Sequence, residues 1–358
     1  MGCTDCSEIV FGISLLQLSV CLSVICDRIA FIVRIGPLEK WVDDNILFRI
    51  PPLVFTELDF TSLSAAFGVN WKASKERKFA IIQRYIGLIW HLQNKTVSIP
   101  DDKRDAYLAL IDSWLLPGAK FTAAEAARLH GKLVHASLIV RLGRPFIASI
   151  SRFANTFKSD HARLQPPGPL LSDLKWYKSL LQAAPAVLPL QDSEVQDIGW
   201  WGDASKTRGV AIIIGKWYCA WRWKAGVTDR WKVDERDIGW GEAIAVELGV
   251  LLLCYLVDQK LLFLKSGAAH FLVRSDNQGV VRVVTKGRSR QQETNSVLAR
   301  LYKVLSSRGY WLSTEYVTSK DNISDILTRA DESEFLRQFP ESIRVDLPLP
   351  DHLANLFQ

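Results

Sequence analysis

The octapeptide IGWWGDAS, residues 198–205, is an apolar run that ends in an acid, Asp203. Apolar and aromatic residues bounded by glycine are typical of a buried β-strand. Residues 209–215 and 216–223 have the pattern of two further strands that form a hairpin. The predicted elements that follow are a helix at 240–257, a strand at 271–275, a helix at 296–307, a strand at 311–318 and a helix at 321–329. This β-β-β-α-β-α-β-α order predicts an α/β fold, in which a mixed sheet is flanked by helices.

Four acids fall at informative places in this order. Asp203 and Asp276 each end a strand, Glu242 lies in the first turn of the long helix, and Asp325 lies on the last helix. Each acid alone has a plainer interpretation, as a turn residue, a helix-dipole partner or an exposed helical acid. Strand ends and helix starts on one edge of an α/β sheet converge where ligands bind, however. Four carboxylates there would repel one another unless they shared divalent cations, so the pattern predicts a site for two Mg²⁺ ions about 4 Å apart.

The same acids carry a resemblance to a known family. The segments that contain them resemble, in order and spacing, the ribonuclease H domain of a retroelement reverse transcriptase; they are GDAS, GEAIAVEL, SDNQGVV and NISDILTR. Glu242 begins the Glu-x-x-Ala form of that family. The resemblance implies that Asp203, Glu242, Asp276 and Asp325 are metal ligands and catalytic residues. It also implies Mg²⁺ or Mn²⁺ as the cofactor and RNA in an RNA–DNA hybrid as the substrate.

Two further features of this region concern the site. Glu247 lies five residues after Glu242, about 140° round the helix, and is therefore expected to point elsewhere. The family often has a histidine in the loop before the last acid, but residues 317–322, VTSKDN, contain none. A proton shuttle at that position is therefore unaccounted for.

A second acidic motif lies upstream, in KWVDDNILFRIP, residues 40–51. Its pattern predicts two short strands joined by a tight turn, with Asp-Asn as the turn residues. Aspartate is common in turns, so the pair Asp43 and Asp44 has a plain structural interpretation. Upstream of a ribonuclease H domain, the motif instead resembles the polymerase palm hairpin, whose two aspartates bind catalytic metals. RYIGLIWHL, residues 84–92, and the helices within 101–157 then resemble the end of the palm and the thumb.

The combination is closest to retrotransposons of the tyrosine-recombinase (DIRS-like) type. A polymerase palm needs another metal-binding aspartate on an earlier strand, together with fingers, and the forty residues before Asp43 cannot hold both. The sequence therefore predicts an N-terminally truncated reverse transcriptase/ribonuclease H that has lost polymerase activity, with Phe11-Gly12 and Asp27 as remnants. The alternatives are a catalytically silent nucleic-acid-binding relic, an accessory subunit of a full-length polymerase chain, and a membrane-anchored protein.

The length of 358 residues suggests two domains, with three as an alternative. The helical region contains a predicted helix at 104–115, capped by Asp101 and Asp102, and a capping box at Thr122 and Glu125. The predicted divisions are a partial palm at 1–100, a helical thumb-like region at 101–157, a connector at 158–197, a ribonuclease H-like domain at 198–330 and a tail at 331–358.

The N-terminal region contains an apolar run at residues 9–26, which just reaches the length of a membrane span. Serine and glutamine interrupt it, and no basic residue precedes it as a signal peptide requires. A buried helix is therefore expected in place of a membrane segment. Cysteines surround the run in a C-x2-C-x14-C-x4-C spacing, at Cys3, Cys6, Cys21 and Cys26. That spacing superficially resembles a zinc module, but the residues between are almost all apolar, with no glycine-rich knuckle, and a zinc site is not expected.

The other two cysteines, Cys219 and Cys254, lie in apolar runs and are predicted to be buried thiols of an intracellular protein, cytoplasmic or nuclear. A net charge of +6 permits a polyanionic partner. Four cations follow Asp276 within nine residues, and they form either a solvated loop or a phosphate track beside a two-metal site; they are Arg282, Lys286, Arg288 and Arg290. Trp217, Trp221 and Trp223 alternate along a strand, where core packing is favoured over stacking on bases.

Overall fold

The computed structural model describes residues 8–12, 37–41, 44–66, 76–183, 187–191, 193–229, 231, 236–265, 269–329 and 332–358. The chain divides into two compact units, one of residues 1–112 with 181–192 and the other of residues 113–180 with 193–358. Helix α2 (Asp101–Leu115) contains the first division.

The described part of the first unit is built mainly from short antiparallel strands. One sheet has the order β2-β3-β1-β4 and another the order β5-β6-β7-β8. A helix, α1 (Glu57–Ala66), lies between β3 and β4 in the chain. The strands are β1 (Glu8–Gly12), β2 (Leu38–Trp41), β3 (Asp44–Arg49), β4 (Arg77–Ala80), β5 (Ile82–Tyr85), β6 (Leu88–His91), β7 (Thr96–Ser98) and β8 (Val187–Pro189).

The two antiparallel strands expected in KWVDDNILFRIP are present, but the second begins earlier than predicted, at Asp44. Strands β2 and β3 pair with Trp41 opposite Asp44, and residues 42 and 43 lie outside the described residues. Asn45, which was assigned to the turn, is instead 2% exposed within β3. Ile46 and Leu47 are also buried. Strand β3 therefore begins before them and includes Asp44 and Asn45.

The apolar run at 9–26 was expected to be a helix, and this prediction is wrong over its first residues. Residues 8–12 form β1, which pairs antiparallel with β3 and β4. The rest of the run lies outside the described residues, as do Asp27 and the four N-terminal cysteines. Periodicity could not separate a buried strand from a buried helix in this run, because both are apolar throughout.

The second unit begins with a helical region in which the predicted capping box is confirmed. Thr122 N donates to Glu125 Oε2 at 2.8 Å, and Glu125 N donates to Thr122 Oγ1 at 3.2 Å. This box starts α3 (Ala123–Ala136), which is followed by a 3-10 helix (Arg141–Ile147) and α4 (Ala148–Ala154).

A further helix, α5 (Gly168–Gln182), occupies much of the segment that was interpreted as a connector. Its Pro169 lies in the first turn, where a missing N–H leaves no hydrogen bond unmade. Leu170, Leu174 and Tyr177 recur at helical spacing and are fully buried. The prolines at the start of this segment mark the beginning of a helix. The helical spacing of the apolar residues after them identifies the helix itself.

The rest of the second unit is a six-stranded mixed sheet with helices, in the order β13-β12-β9-β10-β11-β14. Strands β9 to β11 are antiparallel neighbours, whereas β12 runs parallel to β9, β13 to β12 and β14 to β11. This arrangement confirms the expected α/β class, with a mixed sheet and helices. The elements are β9 (Gln196–Ala204), β10 (Gly209–Ile214), β11 (Trp217–Arg222), α6 (Ile238–Asp258), β12 (His270–Ser275), α7 (Gln278–Lys286), α8 (Gln292–Arg308), β13 (Trp311–Tyr316), α9 (Asp325–Arg329), α10 (Glu332–Gln338), β14 (Ile343–Arg344) and α11 (Asp351–Ala354).

Helix α7 is an addition to the predicted order, in which residues 278–286 were left without an element. Asn277 caps it, since its Oδ1 accepts from Gly279 N at 2.9 Å and from Val280 N at 3.2 Å. Gly287 ends it with a left-handed φ of 67°. Both signals are present in the sequence, as an N-cap asparagine and a glycine just beyond the helix.

Helix α6 is the central helix of the second unit. Among the described helices it alone is long and apolar enough to cross a membrane, but 83% of its apolar window is buried within the protein. It packs against β9, β10 and α8. Its apolar surface is therefore that of a core helix. The two cysteines of this unit, Cys219 and Cys254, are free and buried as predicted.

The contact of α6 with the sheet predicts the effect of a substitution at Gly249. A Cβ at Gly249 would lie 2.3 Å from Cζ2 of the fully buried Trp200. We expect Gly249→Ala to lower the free energy of unfolding by about 1–3 kcal/mol, because overpacking exceeds the gain in helix propensity.

Gly131→Ala in α3 is the matched control, because a Cβ there would meet no atom within 4 Å. It should raise the free energy of unfolding by about 0.5–1 kcal/mol. Urea unfolding of both variants measures the contrast, and equal effects of the two substitutions would contradict the close contact at Gly249.

Candidate active site

Three acids meet at one edge of the six-stranded sheet. Asp203 lies near the end of β9 and Asp276 directly follows β12, and because these strands are parallel their carboxyl ends lie at the same edge. Helix α6, capped at its start by Asp237, supplies Glu242 from its second turn. One carboxylate oxygen from each of Asp203, Glu242 and Asp276 lies within 4.8 Å of the others.

Burial and repulsion between carboxylates raise the pKa values of two of these acids, Asp203 and Glu242. Asp203 and Glu242 are each 4% exposed. Burial is the main cause that raises the pKa of Asp203 to about 6, and the charges of Asp276 and Asp325 raise it further. Burial also raises the pKa of Glu242, with added repulsion from Asp203 and Asp276. The ionised cluster is therefore destabilised until a positive charge compensates it.

Neutral donors orient two of these carboxylates. Thr328 Oγ1 donates to Asp203 Oδ2. Ser319 Oγ donates to Asp276 Oδ2 at 2.5 Å, and Asn322 Nδ2 donates to Asp276 Oδ1 at 3.3 Å. None of these donors was identified from the sequence, although all lie in or beside the segments that carried the resemblance. Ser319 and Asn322 belong to the loop in which the family often has a histidine.

The fourth predicted acid, Asp325, is engaged by a cation. Arg329 Nε lies 2.6 Å from Asp325 Oδ1, one helical turn away on α9. Burial raises the pKa of Asp325, Arg329 opposes that shift, and the charge of Asp276 adds to it. Asp325 is thus close enough to Asp276 to interact electrostatically, but it is not part of the three-acid cluster.

The cluster suits a hard divalent cation. Carboxylate oxygens are the ligands that Mg²⁺ and Mn²⁺ prefer, and closely spaced buried carboxylates require such a charge. The acids open onto a cavity of about 620 Å³, which Lys206 and Arg329 also line. Asp203, Glu242 and Asp276 could therefore hold a metal ion beside a pocket that is lined by two positively charged side chains.

The remaining predicted site residues lie elsewhere in the described chain or outside it. Asp44 begins β3, but its side chain and the whole of Asp43 lie outside the described residues, so their role in binding metal stays a prediction. The four predicted basic residues are all exposed. Arg282 and Lys286 lie on α7, and Arg288 and Arg290 lie in the turn after it, which corrects the prediction of a single loop.

Two predictions about neighbouring side chains can be assessed directly. Glu247 does point away from the cluster, since Arg300 donates to its two oxygens at 2.7 and 2.8 Å and His352 Nε2 lies 3.0 Å from Oε1. Trp223 is buried and its ring stacks on Phe357 at a centroid distance of 4.9 Å, which is a packing role.

Comparisons with known proteins gave only structural matches. No protein-family model matches the chain, and no curated protein matches it. A foamy viral protease-reverse transcriptase in complex with RNA/DNA hybrid matches at 10% identity and a TM-score of 0.37, over 88% of this chain and 44% of that chain. A foamy viral protease-reverse transcriptase dRH in complex with ds DNA matches with the same identity and TM-score, over 88% of this chain and 57% of that one. The chain spans about half the length of the solved structures it matches.

The raised pKa of Asp203 predicts a pH-dependent effect of removing its charge. The folded pKa of about 6 exceeds the ordinary value of 3.8, so the folded state binds the proton more tightly. Asp203 therefore contributes stability below about pH 4 that is lost as the pH rises to about 6. Without divalent cations, the wild type loses this stability between about pH 4 and pH 6 and Asp203→Asn does not. The free energy of unfolding of Asp203→Asn should therefore rise, relative to that of the wild type, by up to about 3 kcal/mol over this pH range.

Urea unfolding in EDTA between pH 4 and 7 measures this difference. Asp160→Asn, at an exposed position between α4 and α5, is the control and should show no comparable rise. A wild-type minus Asp203→Asn difference that is constant with pH would contradict the raised pKa.

The ion pair between Arg329 and Asp325 predicts that Arg329 restrains metal binding. Arg329→Gln releases the Asp325 carboxylate toward the cluster, so we expect Mn²⁺ to bind several-fold more tightly, as measured by isothermal titration calorimetry. Arg337→Gln, which removes an exposed arginine paired with Glu334, is the control. Weaker Mn²⁺ binding by Arg329→Gln would show that Arg329 supports the site instead.

Proposed function

We propose that the chain is a ribonuclease H-type endonuclease of a retroelement, which hydrolyses the RNA strand of RNA–DNA hybrids with Mg²⁺ or Mn²⁺. The observation that supports this most directly is the approach of the Asp203, Glu242 and Asp276 oxygens to within 4.8 Å of one another at the carboxyl edge of parallel strands. Two of these acids are buried, and a buried acidic cluster has no structural benefit without a cation.

The proposed chemistry follows from the donors and charges of the site. Divalent cations at such a site activate a water molecule and stabilise the leaving 3′ oxygen. Asp203, Glu242 and Asp276 would hold these ions, while Thr328, Ser319 and Asn322 keep two of the carboxylates in orientation. The exposed Lys206 lines the cavity, where its ammonium would attract a phosphate of the substrate.

The other predicted divisions of the chain belong to this proposal. Residues 1–100 would be a partial polymerase palm, with Asp43 and Asp44 as a remnant metal pair, and residues 101–157 a thumb-like region. Residues 158–197 would be the connector, 198–330 the nuclease domain and 331–358 the tail. A DIRS-like retrotransposon is the proposed origin. An RNA–DNA hybrid is the proposed partner, with a full-length polymerase chain as a second.

A catalytically silent nucleic-acid-binding protein is the alternative, and one observation favours it. Arg329 already pairs with Asp325, and protein donors already satisfy Asp203 and Asp276. If the chain kept the fold but not catalysis, side chains of the protein would have to stabilise these carboxylates in place of a metal ion. Metal-dependent cleavage separates the two functions.

The decisive experiment compares hybrid cleavage by two isosteric variants. Asp276→Asn keeps the side-chain shape but removes one charge from the cluster, so we expect cleavage in Mg²⁺ to fall by at least about 100-fold. Hybrid affinity should be kept or slightly raised, because repulsion of the phosphates falls.

Asp160→Asn makes the same chemical change at an exposed position between α4 and α5, away from the acids, and should leave cleavage unchanged. Cleavage products are resolved on a denaturing gel with and without Mg²⁺. Metal-dependent cleavage that persists in Asp276→Asn would place the nuclease site elsewhere, and its absence from the wild type would support the silent alternative.

A further inference from the structure

A second cavity in the same unit, of about 600 Å³, is a groove between two groups of cations. One wall comes from the 3-10 helix and α4, which contribute Arg144 and Arg152. The other comes from α7 and the turn after it, which contribute Arg282, Lys286, Arg288 and Arg290. Only the second wall could be predicted from the sequence, because its residues are adjacent in the chain.

The positive charge of the groove is not neutralised by its lining. Among the described residues that line it, none is a carboxylate. Asp173 is near enough to Arg152 to interact electrostatically, but it is itself largely buried and its pKa is raised mainly by that burial. Burial lowers the pKa of Arg144, and the charge of Arg288 lowers it further. The cations thus repel one another across the groove, and a bound polyanion would relieve this repulsion.

The two walls are held together by hydrogen bonds to one side chain. Asn295 on α8 donates through Nδ2 to Pro145 O at 2.7 Å, and its Oδ1 accepts from Ser289 N at 3.2 Å. A Cβ at Gly287 would lie 3.3 Å from Arg144 Cβ, so the turn packs closely against the other wall. The groove is therefore formed before any ligand binds.

We propose that this groove binds the sugar–phosphate backbone of one strand of the nucleic acid whose cleavage is proposed above, as a contact separate from the acids. Helix α7 joins the two sites. Its first residues, Gln278 and Gly279, line the acidic cavity, and Arg282 and Lys286 line the groove. The eight residue-to-residue steps from 278 to 286 advance about 12 Å along the helix axis. That distance corresponds to about three to four nucleotides of a duplex strand at 3.4 Å each.

A regular polyanion fits this groove because cations face it from both sides. Arg144 and Arg152 approach one side of a bound strand while Arg282 and Lys286 approach the other. Arginine and lysine in this arrangement form phosphate contacts, which position a strand without selecting its bases. The expected ligand is therefore an RNA–DNA hybrid of any sequence.

The test measures binding of a fluorescent RNA–DNA hybrid to the full chain in EDTA, by anisotropy at several salt concentrations. Arg144→Gln with Arg152→Gln alters one wall, and Arg282→Gln with Lys286→Gln alters the other. Each pair should weaken binding about 10- to 30-fold at 0.15 M salt and reduce the slope of log K against log salt by about two. Lys216→Gln with Lys260→Gln, which removes two exposed lysines away from the groove, should change neither quantity.

Thermal unfolding establishes that each variant folds, and the exposed pair on α7 keeps the test valid if Arg144 is needed for folding. Unchanged affinity and salt slope in that pair would overturn the proposal. The proposal would also be overturned if the groove variants lose binding to polyglutamate but bind the hybrid as tightly as the wild type does. The groove would then bind an acidic protein.

The position of the contact is tested with neutral methylphosphonate linkages placed three to four nucleotides from the cut. They should weaken binding to the wild type but not to the groove variants. The binding assay in EDTA requires no cleavage. Hybrid binding that depends on the groove residues, without any cleavage in Mg²⁺, would therefore refute only the proposed activity. A protein that cuts with no groove dependence would refute only the groove.

Discussion

The repulsion among Asp203, Glu242 and Asp276 is the constraint on which the second unit depends. Three ionised carboxylates with oxygens within 4.8 Å of one another oppose folding, so favourable contacts elsewhere must offset their repulsion. The structure places them on its most extensively paired elements, the parallel strands β9 and β12 and the buried helix α6. Sheet pairing and core packing thus supply the stability that the acidic cluster removes. Such a distribution is typical of sites whose strain serves a function.

The polar residues around the cluster act in two different ways. Thr328, Ser319 and Asn322 are neutral donors, which fix the orientation of carboxylates without cancelling their charge. Arg329 is a cation, which lowers the negative potential and competes with any metal for Asp325. The balance between orientation and neutralisation decides whether the site binds ions strongly. Both functions come from the loop and short helix that follow β13. This one segment therefore affects both the orientation of the carboxylates and the charge around them.

The sequence allowed the sheet and the positions of the acids to be predicted, because strand ends and helix starts leave local signals. It did not reveal that Arg329 pairs with Asp325, since composition does not show which charges meet. The strand at residues 8–12 was missed because a continuous apolar run carries no periodicity. Arg144 was also missed, because its relation to Arg288 depends on contacts between segments more than 140 residues apart. Contacts between side chains in the folded protein, and not local propensity, determine the partners of Arg329 and Arg144.

Strand β14 and the residues after it close one margin of the six-stranded sheet. Ile343 and Arg344 pair with β11, and Phe357 covers Trp223. An unprotected margin of this kind presents free backbone groups that can recruit a strand from another molecule. Residues 343–357 therefore protect the sheet against self-association in addition to completing its core. Shortening the chain before them would be expected to reduce solubility, even though every acid of the candidate site would remain.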